Sequence, residues 1–167
     1  MSKEKLIESL QIDFSQIEKV EINKNLNGVL EIKIKERQAS FWWCGSEGIL
    51  DCLSMTDSGL AFARANQEEV KDKIIFRNYQ KEAIILTNFA SSEVMQNYAK
   101  AIEVLENNQF SVSEIILELS DKAIFKTNVG NIFLNPEEDL RVTAQNAVAL
   151  INEIHYESVF VRIAKIF

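Results

Sequence analysis

Residues 20–37 read VEINKNLNGVLEIKIKER, and the period of this stretch sets the class of the fold. Val20 and Ile22 flank Glu21 before the Asn27-Gly28 dipeptide. After it, Leu30, Ile32 and Ile34 alternate with Glu31, Lys33 and Lys35, the two-residue period of a half-buried strand. Two such runs around Asn-Gly predict a β-hairpin, because glycine enters the positive-φ region of a tight turn with no β-carbon to oppose it. Leu30, Ile32 and Ile34 are expected to be buried, each contributing roughly 1.5–3 kcal/mol. A one-residue slip would bury Glu31, Lys33 and Lys35 without partners, so the register is expected to be firm.

Upstream, residues 3–11 carry Leu6, Ile7 and Leu10 at helical spacing, so a helix precedes the hairpin. Downstream, ASFWWC (39–44) and GILDCL (48–53) read as two more strands around a glycine-flanked turn, and TDSG (56–59) as a further turn. The polar run ANQEEVKDK over residues 65–73 marks a boundary between two units, 1–65 and 66–167. In the second unit, IIFRNY (74–79) and AIILTN (83–88) are strand-like. Ser91 or Ser92 caps a helix whose inward stripe is Met95, Tyr98, Ile102 and Leu105 and which ends at Asn107-Asn108.

Strands follow over 114–119, 123–127 and 131–134. Asn135-Pro136 then opens a second helix, with Glu137, Glu138 and Asp139 facing the positive end of its dipole. Its stripe is Leu140, Ala144, Ala147, Val148, Ile151 and Ile154, and ESVFVRIAKIF reads as a terminal strand. The expected class is α+β: a small helix-on-sheet domain, then a mostly antiparallel β domain with two covering helices.

Composition narrows the function. The 167 residues are 47% hydrophobic, with one proline and five glycines, which suits one ordinary domain or two packed closely without a flexible linker. Twenty-five acidic against 18 basic side chains give a net charge of −7, opposite to the clustered cations that nucleic acid demands. No run of 18 apolar residues is present, and MSKEKLIESL lacks the apolar core of a signal peptide, so the chain as given reads as soluble.

The reactive residues do not assemble into a catalytic or metal set. With one histidine, His155, and cysteines spaced C-x7-C, a four-ligand zinc site is not available, and no cofactor or small-molecule substrate is implied. Cys44 and Cys52 flank a turn; they can be joined by a disulfide in an exported protein or remain as buried free thiols. CGSEG is not a nucleophile elbow, and NVGNIF has one glycine where a phosphate cradle needs several. Of Trp42 and Trp43, adjacent on a strand, one is expected in the core and the other outward as a contact surface. The long apolar segment VFVRIAKIF near the chain end is a candidate exposed sheet edge, and such edges recruit strands.

The run LIESLQIDFSQIEKVEINKNLNGVLEIKIKERQASFWW, followed by GILDCLSMTDSGLAF, resembles the POTRA domain of the bacterial septal division proteins FtsQ and DivIB. Glu36-Arg37 matches the family's E-R pair, Ala39 the small residue after it, and Asp57-Ser58-Gly59 its later turn. The resemblance continues through helix 91–107, SEIILELSD, KAIFKTNVGNIFL and the helix after Pro136, and so covers most of the chain. Asn27 and Gln38 stand where the family usually has proline. The family's cytoplasmic tail, transmembrane helix and first POTRA strand and helix have no counterpart ahead of Lys3, which implies either an open sheet edge near residues 29–37 or a dependence on other contacts.

The resemblance implies a non-enzymatic division scaffold on the extracytoplasmic side of the cell membrane, holding coiled-coil partners of the FtsB and FtsL type. In the family a C-terminal strand accepts a partner strand. The matching stretch here is ESVFVRI (157–163), with Arg162 the best-matched position, and the partner-binding residues this implies are Tyr156, Glu157, Val159, Phe160, Val161, Arg162 and Ile163, Tyr156 and Phe160 as apolar anchors. Two alternatives stand beside it: a POTRA-like scaffold of another envelope assembly, and a thiol hydrolase built on Cys44 and His155.

Overall fold

A computed structural model of the chain describes residues 2–24, 27, 29–45, 51–119 and 122–156, with the side chains of Gln67, Leu119, Ile154, His155 and Tyr156 outside that description. The first unit is helix α1 (Lys3–Asp13) on a two-stranded antiparallel sheet, β1 (Ile17–Lys24) and β2 (Leu30–Glu36). Ser2 caps α1 by accepting from the Lys5 amide at 3.4 Å. Leu6, Ile7 and Leu10 pack on the buried Ile17, Val20 and Ile22, as the helical spacing predicts.

The hairpin forms, but in a register that its turn dipeptide does not dictate. A two-residue Asn27-Gly28 turn would set Ile22 opposite Lys33. Instead Ile22 pairs with Ile32, Val20 with Ile34 and Lys24 with Leu30, leaving a five-residue connection over 25–29. Like side chains on one face decide the register, because each mismatch would place a charge beside apolar neighbours. The expected burial of β2 is overturned. Leu30, Ile32 and Ile34 are 54%, 45% and 54% exposed, since the single stripe of α1 covers β1 and leaves the β2 half of that face bare.

The remaining strands form one seven-stranded sheet in the order β5-β4-β3-β6-β7-β8-β9. Its members are β3 (Phe41–Cys44), β4 (Cys52–Met55), β5 (Ala61–Arg64), β6 (Ile75–Asn78), β7 (Val112–Leu119), β8 (Lys122–Thr127) and β9 (Gly130–Leu134). The short helix α2 spans Gln67–Val70, the long helices α3 and α4 Ser92–Asn107 and Leu140–Tyr156. The class is α+β and the pairings are mostly antiparallel, with two parallel ones where β6 lies between β3 and β7.

Those parallel pairings relocate the boundary. The polar run at 65–73 does not separate two bodies: it holds α2 and returns the chain into the middle of its own sheet, so a division at 65/66 cuts between strands that share hydrogen bonds. The break in the β architecture lies instead between β2 and β3. The two units still touch, Ser15 Oγ donating to the Phe62 carbonyl at 2.6 Å.

Both long helices cover one face of the sheet. Ser91 caps α3 by accepting from the Val94 amide at 3.3 Å, and Met95, Tyr98, Ile102 and Leu105 enter the core as the spacing predicts. Leu140, Ala144 and Val148 of α4 join them. The helix start moves, however. Asn135 makes a local turn, its Oδ1 accepting from the Glu137 amide at 3.0 Å, while Asp139 Oδ1 accepts from Arg141 at 3.0 Å and caps α4.

Residues 83–88 are not the expected strand. Leu86 takes φ +62°, which interrupts an extended run, and the segment instead covers the β5 edge by irregular bonds, Ala61 N–H to Thr87 O at 2.9 Å and Leu86 N–H to Ala61 O at 2.8 Å. Gly59, in the turn before β5, has φ +90°, and a β-carbon there would lie 2.7 Å from Met95 Cγ. Only glycine fits that approach of turn to helix.

Candidate functional site

The sheet presents two sets of groups for a functional role: its outer edge at β9 and the polar cluster on the face away from α3 and α4. At the edge, β8 pairs with one side of β9, and among the described residues no strand pairs with the other. Phe133 on β9 is 48% exposed, with the Lys122 ammonium 4.8 Å from its ring centroid. Asn135 to Asp139 then lead into α4, which packs beside α3 on the common helix face.

The sequence-predicted partner residues belong to the chain beyond this point. Tyr156 is the last residue of α4. Glu157, Val159, Phe160, Val161, Arg162 and Ile163 lie outside the described residues, as does the predicted terminal strand.

On the opposite face the sequence reading missed a charged centre. Arg77 of β6 is 9% exposed and its Nε is hydrogen-bonded to Glu114 Oε1 of β7, while its Nη1 donates to the Gly45 carbonyl at 2.7 Å. Lys126 of β8 reaches Glu114 Oε2 at 2.5 Å. Burial pushes the Glu114 carboxyl up, but hydrogen bonds from Lys126 and Arg77, and their charges, outweigh it, so the group lies below its usual range. Arg77 comes from a strand distant in sequence from the β7–β8 hairpin that carries Glu114 and Lys126, and together the three side chains tie β3's end to β6, β7 and β8.

Beside this centre, Cys44 and Cys52 occupy directly opposed positions on β3 and β4, Cα atoms 4.0 Å apart, and form a disulfide. Both are buried with Trp42 and with Val70 of α2. Trp42 is therefore not an outward contact surface: α2 covers it, leaving 6% exposed, while Trp43 is fully buried in the main core. Cys44 holds no thiol in this state, and His155 is in the last turn of α4. Among the described residues no three His, Cys, Asp or Glu side chains gather as metal ligands.

Closing a loop of this length constrains the unfolded chain by about 2–3 kcal/mol in the loop-entropy description. The double variant Cys44→Ala/Cys52→Ala is expected to lose at least that much in a urea melt. An unchanged midpoint would show that the cross-link contributes nothing.

An open depression of about 620 Å³ adjoins the disulfide, lined by Asp51, Arg64, Tyr79 and Lys81 among others. Among the described residues no helix is long and apolar enough to cross a membrane. No protein-family model and no curated protein matches the chain.

Proposed function

We propose that this chain is a non-enzymatic scaffold of the FtsQ/DivIB type, the extracytoplasmic part of a membrane-anchored cell-division protein, which holds FtsB- and FtsL-like partners by strand addition at a C-terminal β edge. The observation that supports this reading most is the outer edge of β9, followed at once by α4 on the helix face. The same fold already uses one such crossover: α3 joins the parallel neighbours β6 and β7. Crossovers between parallel strands are almost always right-handed, so a parallel strand following α4 would fall on the free side of β9. A strand over 157–163 at that position would itself present the sheet's last edge to a partner.

Backbone pairing alone does not suffice. Four or five added hydrogen bonds give roughly 0.5–1.5 kcal/mol net each, against an association cost of at least about 4 kcal/mol. Micromolar affinity, about −8 kcal/mol, needs apolar anchors such as Phe160 and Tyr156 and an ion pair through Arg162.

Val161→Pro removes a backbone donor and should abolish binding of coiled-coil division partners while leaving the circular dichroism and melting temperature unchanged. Undiminished partner capture by a folded Val161→Pro variant would overturn the reading. Capture of some other envelope protein with the same Val161→Pro sensitivity would transfer the strand-addition surface to a different assembly.

A further inference from the structure

We infer that the β2 edge is a self-association surface that takes a second copy of this chain in antiparallel register, an interaction independent of the C-terminal edge. Two features make β2 a site. Its outer side has no partner strand among the described residues, and its apolar residues Leu30, Ile32 and Ile34 are about half exposed beside the buried Val20 and Ile22 with which they share a face. An unpaired strand with one bare apolar face is the arrangement that recruits another strand.

The sequence of β2 selects the occupant. In an antiparallel pair, side chains directly opposed share a face, so only registers that match odd with odd and even with even positions keep Leu30, Ile32 and Ile34 together. With the two-fold axis at Ile32, Ile32 faces its own copy, each Leu30 faces Ile34 of the other copy, and each Glu31 faces Lys33. Every pair on the apolar face is then apolar and both pairs on the polar face are of opposite charge. Within one chain Glu31 and Lys33 are already 3.4 Å apart, so their charges sit where the second pairing needs them.

Shifting the axis to Lys33 would set two lysines against each other. The β1 edge is the poorer candidate, because its apolar residues are already covered by α1 and Gln11 Nε2 donates to the Glu18 carbonyl at 2.9 Å.

Coverage improves as well. A helix is about 10 Å across and strands are about 4.8 Å apart, so one helix on two strands tops roughly the width of the pair only if centred on it. Here α1 lies over β1. In the dimer, the order β1-β2-β2-β1 places a helix over each outer strand and brings the two bare β2 strands together between them. The contact is a strand pair and not a broad face, below the roughly 1,200 Å² of a standard interface, so a dissociation constant in the micromolar range is expected.

Sedimentation velocity of the 167-residue chain between about 5 and 300 µM should show a monomer–dimer equilibrium. Ile32→Lys sets two charges at the axis and should leave a monomer with unchanged circular dichroism. Glu31→Lys and Lys33→Glu, each opposing like charges in its own dimer, should both be monomeric, and an equimolar mixture of the two should dimerise. A monomeric parent at the highest concentration would overturn the proposal. So would a dimer that Ile32→Lys leaves intact, or two charge variants that fail to rescue one another.

Discussion

Phe76→Ala should lower the unfolding free energy by about 3–5 kcal/mol, read as a shift of one cooperative urea transition followed by both fluorescence and far-ultraviolet circular dichroism. Phe76 is fully buried on β6, with its ring edge-on to Phe41 at 5.1 Å, Phe89 at 5.3 Å and Tyr98 at 5.5 Å. Its removal leaves a cavity bounded by three rings that cannot all close in, so the cavity penalty adds to the lost transfer energy. Because β6 lies between β3 and β7, strands on both sides lose support together. Two separable transitions, with only the one for 66–167 displaced, would show that the sheet is not one unit.

That continuity was invisible locally, and the reason is the pairing type. Hairpins such as β1–β2, β7–β8 and β8–β9 announce themselves, because a short turn and matched alternation lie within one stretch of chain. The β3–β6 pairing joins Trp43 to Phe76 in parallel across more than thirty residues, where no turn signal exists and a polar run intervenes. Alternation likewise shows that Leu30, Ile32 and Ile34 share a face, but not whether enough helix exists to cover it. Leu6, Ile7 and Leu10 suffice for one strand only. In residues 83–88 the apolar run suggested a strand, whereas Leu86 at φ +62° turns it into an edge cover.

The candidate sites divide along the same line. The opposition of Cys44 and Cys52 was legible, since a turn flanked by strands can bring them face to face; that they bond was not, because spacing does not reveal oxidation state. Arg77 within IIFRNY and Glu114 within EIILEL each read as a solvent-facing position of a half-buried strand. Only the parallel register between β6 and β7 turns them toward each other, and the loss of solvent there converts two ordinary charges into an ion pair with structural weight.

Arg77→Met should therefore destabilise the fold by about 2–3 kcal/mol at neutral pH, near the low end for breaking a buried pair because Lys126 still faces Glu114. The variant keeps the aliphatic volume and loses the donors to Glu114 and to the Gly45 carbonyl. Adding Glu114→Leu should recover part of the loss, because the stranded carboxylate rather than the missing attraction carries most of the cost. The pH dependence has a definite sign. In the parent the Glu114 carboxyl is held below its usual range, so its contribution is complete above the unfolded-state value near pH 4.5 and disappears as pH falls through the lower folded-state value. In Arg77→Met, burial opposes ionisation with one cation fewer to offset it, and the carboxyl rises. The stability gap between parent and variant should thus be widest above about pH 5 and narrow progressively under acid, as the parent loses its ion pair and the variant neutralises its stranded charge. Urea midpoints at intervals between about pH 3 and pH 7 test this, and parallel profiles, or a gap that widens with acid, would show that Arg77 does not act through Glu114.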